Sequence, residues 1–222
     1  AVSMGRPPEP RGEQDRLHER SPWIVSDPDP ELLTDTPAGV RHPAREGGRV
    51  TDAQPVAGKL TVENRSIWIR ETNPDVGAIG IPLANVIYAR ESYQTINDTT
   101  VDSLSVRHLR PHSNVQTTEI SVWDDREHEI FCEFVRRYYA KQKREIESFD
   151  LSDEQLKLLV TLYSGGGLDV PKLLQQSTDE VAEVFGPVRE VGLISSGGGM
   201  GGILTGRGHI LVNEELDDEE IL

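Results

Sequence analysis

Between residues 39 and 122 apolar side chains recur at every second position, and that period restricts the fold more than any other feature of the chain. Gly48-Arg49-Val50-Thr51, Lys59-Leu60-Thr61-Val62 and Ser66-Ile67-Trp68-Ile69 each alternate apolar and polar residues. Turn signals divide them: Ala57-Gly58, Glu63-Asn64 and Asn73-Pro74-Asp75. Further strands are predicted at 78–81, 86–89, 102–107 and 118–122. Short strands at a spacing of roughly ten residues indicate an antiparallel sandwich or barrel and not a parallel sheet. The period then switches. Between Asp125 and Ile146, Ile130, Phe131, Phe134, Val135, Tyr138 and Tyr139 form one stripe at helical spacing. Acids at the start (Asp124, Asp125, Glu127) and bases toward the end (Arg136, Arg137, Lys141, Lys143, Arg144) complement the helix dipole. The expected fold is α+β: a pleckstrin-homology-like β-barrel or sandwich over residues 39–148, closed by its C-terminal helix.

Residues 149–216 read as a second unit. Ser152-Asp153-Glu154-Gln155 and Ser177-Thr178-Asp179-Glu180 are capping boxes, each opening an amphipathic helix. A short helix at 170–175 lies between them. Leu193-Ile194, a glycine-rich bend, Ile203-Leu204 and the apolar run His209–Val212 follow, with an acidic tail at 217–222. Three helices and a hairpin make a winged-helix pattern. Pro187 is awkward inside the third helix, because proline removes one hydrogen bond of the ladder. At the other end, residues 1–38 hold seven of the chain's 14 prolines and few apolar residues. They read as disordered or loosely docked, with Trp23-Ile24-Val25 as the one sticky point. The chain begins with Ala1, so an upstream start is expected.

Charge excludes whole classes of partner. The 222 residues carry 38 acids against 23 bases, a net −15, and arginine outnumbers lysine 18 to 5. Such a surface repels nucleic acid and anionic lipid, and it is the balance expected of proteins kept soluble in concentrated salt. The sharper test is the winged helix, where residues 151–222 hold 13 acids and 4 bases, a net −9. Its reading helix carries Asp179, Glu180, Glu183 and Glu190 against Arg189, which is the wrong sign for phosphate contacts. A winged-helix transcriptional regulator is therefore a secondary reading, as is a ligand-sensing pleckstrin-like module. No apolar run reaches the ~18 residues of a membrane span. The amino terminus lacks a signal-peptide core, and a single cysteine, Cys132, fits a reducing compartment, so a cytoplasmic protein is expected. Among the apolar neighbours Ile130, Phe131 and Phe134, Cys132 reads as a buried side chain.

No motif supplies chemistry. Gly197–Gly202 satisfies G-x-G-x-x-G in letters, but no βαβ unit surrounds it. His108 and His112 share an x3 spacing without the glutamate of a zinc-binding helix, and no G-x-S-x-G elbow exists. The expectation is a protein without catalytic residues, metal site or cofactor.

His42-Pro43-Ala44-Arg45-Glu46-Gly47-Gly48-Arg49-Val50-Thr51-Asp52, with the following Lys59–Glu63 strand, resembles the archaeal taxis protein CheF family. So do Leu151–Gly165 and the downstream Val191-Gly192-Leu193-Ile194 and Leu204-Thr205-Gly206-Arg207-Gly208, in the same order. The resemblance implies a chemotaxis and phototaxis adaptor. Such a protein binds the phosphorylated CheY-type response regulator, other chemotaxis proteins and the archaellum switch, and it makes no use of nucleic acid or membrane insertion. The basic cluster in the first motif is the candidate partner-binding surface: Arg41, His42, Arg45, Arg49 and Asp52. A second basic cluster, Arg136–Arg144, lies on the closing helix.

Overall fold

The computed structural model describes residues 33–71, 77–110, 114–165, 177–196 and 202–219. Eight strands come first: β1 (Thr36–Glu46), β2 (Arg49–Val50), β3 (Val56–Glu63), β4 (Ser66–Glu71), β5 (Ala78–Pro82), β6 (Val86–Ile96), β7 (Thr99–Leu109) and β8 (Val115–Val122). Helix α1 (Asp125–Glu147) follows, then α2 (Asp153–Gly165), α3 (Thr178–Glu190), the hairpin β9 (Ile194–Ser196) and β10 (Gly202–Leu204), and α4 (Gly206–Glu219). A 3₁₀ turn, Leu83–Asn85, joins β5 to β6. Among the described residues no helix is long and apolar enough to cross a membrane.

The class is α+β, as expected, with one large antiparallel sheet in the order β5-β4-β3-β1-β8-β7-β6 and β2 paired to β1. The sheet is open: β5 and β6 are its edges and do not pair, so the hydrogen-bonded barrel of the sequence reading is corrected. Curling does part of what closure would do. The β6 and β7 strands are 11 residues each, about twice a typical strand, and twist accumulates along them. The far end of β6 thereby swings back over β8 to β1, where Gln94 Nε2 donates to the Gly39 carbonyl (3.2 Å) and to Ser121 Oγ (2.7 Å). The turn at its tip has Asn97 and Asp98 at φ 49° and 63°, the left-handed pair of a tight hairpin.

The centre of the sheet is a strand that alternation does not reveal. β1 begins at Thr36, ahead of the expected start at 39, and contains Pro37 and Pro43. Proline is tolerated because Pro43 lies in the irregular step between Arg41 and Arg45, where β1 leaves regular register with β8. The Ala57-Gly58 pair, read as a turn, instead lies within β3 opposite Gly39 and Ala38.

One face of the sheet is buried beneath α1. Val40, Leu60, Ile69, Leu104 and Ile120 pack with Phe131, Cys132 and Val135 of that helix. Asp124 caps α1 by accepting from the Glu127 amide at 3.0 Å. Cys132 is buried, and burial pushes its thiol up to about 12, which removes it as a nucleophile.

Both capping boxes form. Gln155 N donates to Ser152 Oγ (3.3 Å) and Ser152 N to Gln155 Oε1 (3.0 Å), and Ser177 and Glu180 make the same reciprocal pair. α3 runs through Pro187, which sits on the exposed face of the helix, as does Glu183, whose carbonyl loses its ladder partner there. The short helix expected at 170–175 and the glycine-rich bend lie outside the described residues, as does Trp23-Ile24-Val25. The apolar run His209–Val212, to which the sequence pattern assigns no element, lies in helix α4, which runs from Gly206 to Glu219 and takes in the start of the acidic tail. His209 and Ile210–Val212 are all buried, so neighbours surround that turn and alternation or a single stripe is lost from its sequence.

The second core does not stop at the chain boundary near residue 149. Leu158, Leu159, Phe185, Val188 and Val212 share it with Ile87 of β6, Leu109 of β7 and Ile146 of α1. Arg207 pairs with Glu145 and Lys143 with Glu214, stitching α4 to α1. Gly206 is required by the closeness of the contact, because a Cβ there would lie 2.1 Å from the Ala84 carbonyl oxygen.

Candidate functional site

The motif residues cluster where β1 leaves the regular sheet. Gly47 and Gly48, at φ 54° and 81°, turn the chain tightly from β1 into the two-residue β2. The segment after β2 then folds back on β1. Thr51 N donates to the Ala44 carbonyl at 3.1 Å, and Thr51 Oγ1 donates to the Pro43 carbonyl.

Arg41 holds this fold-back from beneath. Its Nε donates to the Ala53 carbonyl (2.8 Å), its Nη2 to the Thr51 carbonyl (3.2 Å), and Nη1 lies 3.7 Å from Glu119 of β8. The guanidinium is half-buried and its donors are engaged, so Arg41 supports the surface and is not part of it.

His42 lies deeper. Its Nδ1 meets Thr118 Oγ1 at 2.7 Å, and Nε2 of His108 reaches the same hydroxyl at 2.9 Å. The two rings stack with centroids 6.0 Å apart and planes 14° from parallel. A hydroxyl has one proton and two lone pairs, so Thr118 donates to at most one imidazole and accepts from at least one. Both rings are held neutral, with pKa values lowered to about 4. Burial is the main cause for each; Arg110 adds to it for His42, and the neighbouring His42 adds to it for His108. Sequence spacing paired His108 with His112, which lies outside the described residues; the fold pairs it with His42. Among the described residues no group of three or more His, Cys, Asp or Glu is arranged to hold a metal ion.

Arg45, Arg49 and Asp52 are the motif residues that reach the surface. Neither arginine forms an ion pair with a described residue. Opposite Arg45 in the ladder, Val50 stands 63% exposed. Glu46, beside them, accepts from Gln116 Nε2 at 2.8 Å, which ties the hairpin to β8. The hairpin thus exposes Arg45 with the apolar Val50 opposite it on one face and Arg49 opposite Glu46 on the other, neither arginine ion-paired with a described residue, on a braced backbone. The helix cluster is different. Arg136 pairs with Glu91 (3.1 Å) and Glu133, Arg137 pairs with Glu133 (2.6 Å), and Lys143 pairs with Glu214, so much of its charge is already balanced. Val50, Thr118 and His108 carry the site with the motif residues but were not singled out as contacts. Val50 was visible as a strand residue inside the motif, whereas the roles of the other two depend on strand register.

The sheet, most of the packing helix and the hairpin lie within a stretch that a known family shares. A family model described as "Archaeal Chemotaxis signal transduction system protein F" (CheF-arch) matches residues 30–141, half of the chain and all of the hairpin. The chain belongs to that family, as the resemblance of its motifs implies. It is 26% identical over 188 residues to "Taxis protein CheF2" of Halobacterium salinarum, across 84% of this chain and 63% of that protein. It is 28% identical over 165 residues to "Taxis protein CheF1" of the same organism, across 73% of this chain and 54% of that protein. The chain therefore covers less than two thirds of the length of either curated relative.

Proposed function

We propose that this protein is a chemotaxis adaptor which binds the phosphorylated CheY-type response regulator and passes the signal on to the archaellum switch. Family membership over residues 30–141 is the observation that carries the reading. The exposed Arg45–Val50 hairpin supports it with a surface of suitable chemistry. Response regulators present acidic side chains around the phosphorylated aspartate, and charge complementarity steers such encounters. On this reading the protein works in the cytoplasm by binding alone, without cofactor or catalytic step, and engages other chemotaxis proteins but neither nucleic acid nor membrane. Asp52, exposed just past β2, repels an acidic partner on its side.

The test is a titration of the full chain against phosphorylated and unphosphorylated regulator. Tighter binding to the phosphorylated form is expected, and equal affinity for both forms refutes signal-dependent binding. In Arg45→Ala/Arg49→Ala the association rate is expected to fall severalfold, with the deficit shrinking as salt rises. Arg41→Ala should instead lower stability, since it frees the carbonyls of Thr51 and Ala53. Unaltered kinetics in the double variant move the contact elsewhere on the protein.

A further inference from the structure

Strand register carries the Arg45 face of the hairpin on across the sheet. Residues opposite one another in an antiparallel ladder point to the same face. Val50 lies opposite Arg45, Arg45 opposite Thr117, Thr117 opposite Arg107, and Arg107 opposite Tyr88. One row therefore runs over β2, β1, β8, β7 and β6, about 19 Å at the usual strand spacing. Two residues along, Arg41, Glu119, Ser105 and Arg90 form a second row on the same face. This face is opposite to the one beneath α1, which holds Leu104 and Ile120. The second unit covers the row on the other side, at Leu109 and Val115.

Charge and exposure set the two rows apart. Four arginines stand there against one carboxylate, on a chain whose net charge is −15. Arg41 and Glu119 pair with each other at 3.7 Å and offset one another. Arg45 and Arg90 are exposed and Arg107 is half-buried, and none of the three is in an ion pair with a described residue. Val50 and Tyr88, at the two ends of the first row, are 63% and 46% exposed. Tyr88 is held by a T-shaped ring contact with Tyr139, centroids 6.3 Å apart, so covering it costs little side-chain entropy.

These features select the occupant. Unpaired guanidinium groups attract carboxylates, and a valine and a tyrosine at the ends bury apolar area when a partner closes over them. Nucleic acid fits poorly: its charge continues past the patch, over the acidic remainder of the chain, whereas a folded protein presents carboxylates locally.

We propose that this sheet face, and not the hairpin tip alone, docks the acidic face of a partner protein. Carboxylates about 10 Å apart meet Arg45 and Arg107, Arg90 flanks them, and Val50 and Tyr88 close the two ends. Arg49, beside Glu46 on the other face of the hairpin, lies outside the contact. The surface is tested with the regulator, and to that extent it rests on the adaptor reading.

Stopped-flow association of the full chain is measured with the phosphorylated and the unphosphorylated CheY-type regulator, between about 0.15 and 1 M salt. Arg90→Gln/Arg107→Gln is expected to slow association about fivefold at the low end, with the deficit shrinking toward the high end. Tyr88→Ala is expected to quicken dissociation severalfold at every salt concentration. A charge-matched control, Lys157→Gln/Arg189→Gln, alters exposed cations of α2 and α3 and is expected to leave both rates unchanged. Wild-type kinetics in Arg90→Gln/Arg107→Gln overturn the proposal, as does equal slowing in the control. Competition with the regulator by a short DNA duplex or by a second copy of the chain also overturns it, since that competitor is then the occupant. Equal affinity for both regulator forms, with losses confined to the face variants, upholds the surface and refutes signal-dependent binding. Preference for the phosphorylated form with the face variants unaffected does the reverse, and no binding of either form overturns both.

Discussion

Replacing His108 with glutamine should make the stability of this protein less sensitive to acid. His108 is 2% exposed, bonded to Thr118 and stacked on His42, and its pKa is lowered to about 4. In the unfolded chain an ordinary imidazole titrates near 6.5, so between pH 6.5 and 4 the unfolded state binds the extra proton. Stability therefore falls as the pH drops through that window. At pH 5 an unfolded-state imidazole is almost fully charged and one with a pKa of about 4 is roughly one-tenth charged, which corresponds to a loss of about 2 kcal/mol. His42 adds to the fall, but the two rings are coupled: protonating one raises the cost of protonating the other. Arg110 disfavours the cation at both, while Glu46 favours it at His42 and the Leu109 backbone at His108. The assay is urea denaturation of wild type and His108→Gln at pH 7.5 and 5.0 in constant salt. At pH 7.5 the variant should be less stable by about 1–2 kcal/mol, from a lost hydrogen bond and poorer packing. By pH 5.0 that gap should close by about 2 kcal/mol. Taking the difference between two proteins cancels the titration of the many carboxylates they share. A gap independent of pH refutes the claim that the buried imidazole pair is held neutral by the fold.

Two further changes probe the packing. Gly206→Ala places a methyl 2.1 Å from a backbone oxygen that no rotamer change can move, so a loss of about 1–3 kcal/mol is expected; calorimetry should also show a second transition as the α4 unit loosens, and wild-type stability in the variant refutes the close contact. Phe131→Ala removes the largest fully buried side chain of α1 and should cost about 3–5 kcal/mol in denaturant unfolding, with a loss under 1 kcal/mol inconsistent with its place in the core.

Local chemistry determined much of this protein on its own. Alternation marked parts of β2 to β8, the stripe from Ile130 to Tyr139 marked α1, and serine followed by Gln155 or Glu180 marked the starts of α2 and α3, because each signal acts within a few residues of itself. The motif around His42–Asp52 likewise pointed to the family, since side-chain identity and order are carried by the chain directly. What the chain could not announce were the features made by residues distant in sequence. β1 is a central strand despite two prolines, because β3 and β8 supply its partners and a local irregularity absorbs Pro43. α4 is a helix buried on several sides, so its apolar residues show no single stripe. That the sheet curls at β6 and β7 without its edges pairing is a sum of small twists that no single residue encodes. The same holds at the candidate site: charge and motif brought five residues together in the reading, but register alone sent Arg41 and His42 inward, to carbonyls and a threonine hydroxyl, and left Arg45, Arg49 and Asp52 to face solvent. A side chain's type is local, whereas its exposure depends on what the rest of the chain packs against it.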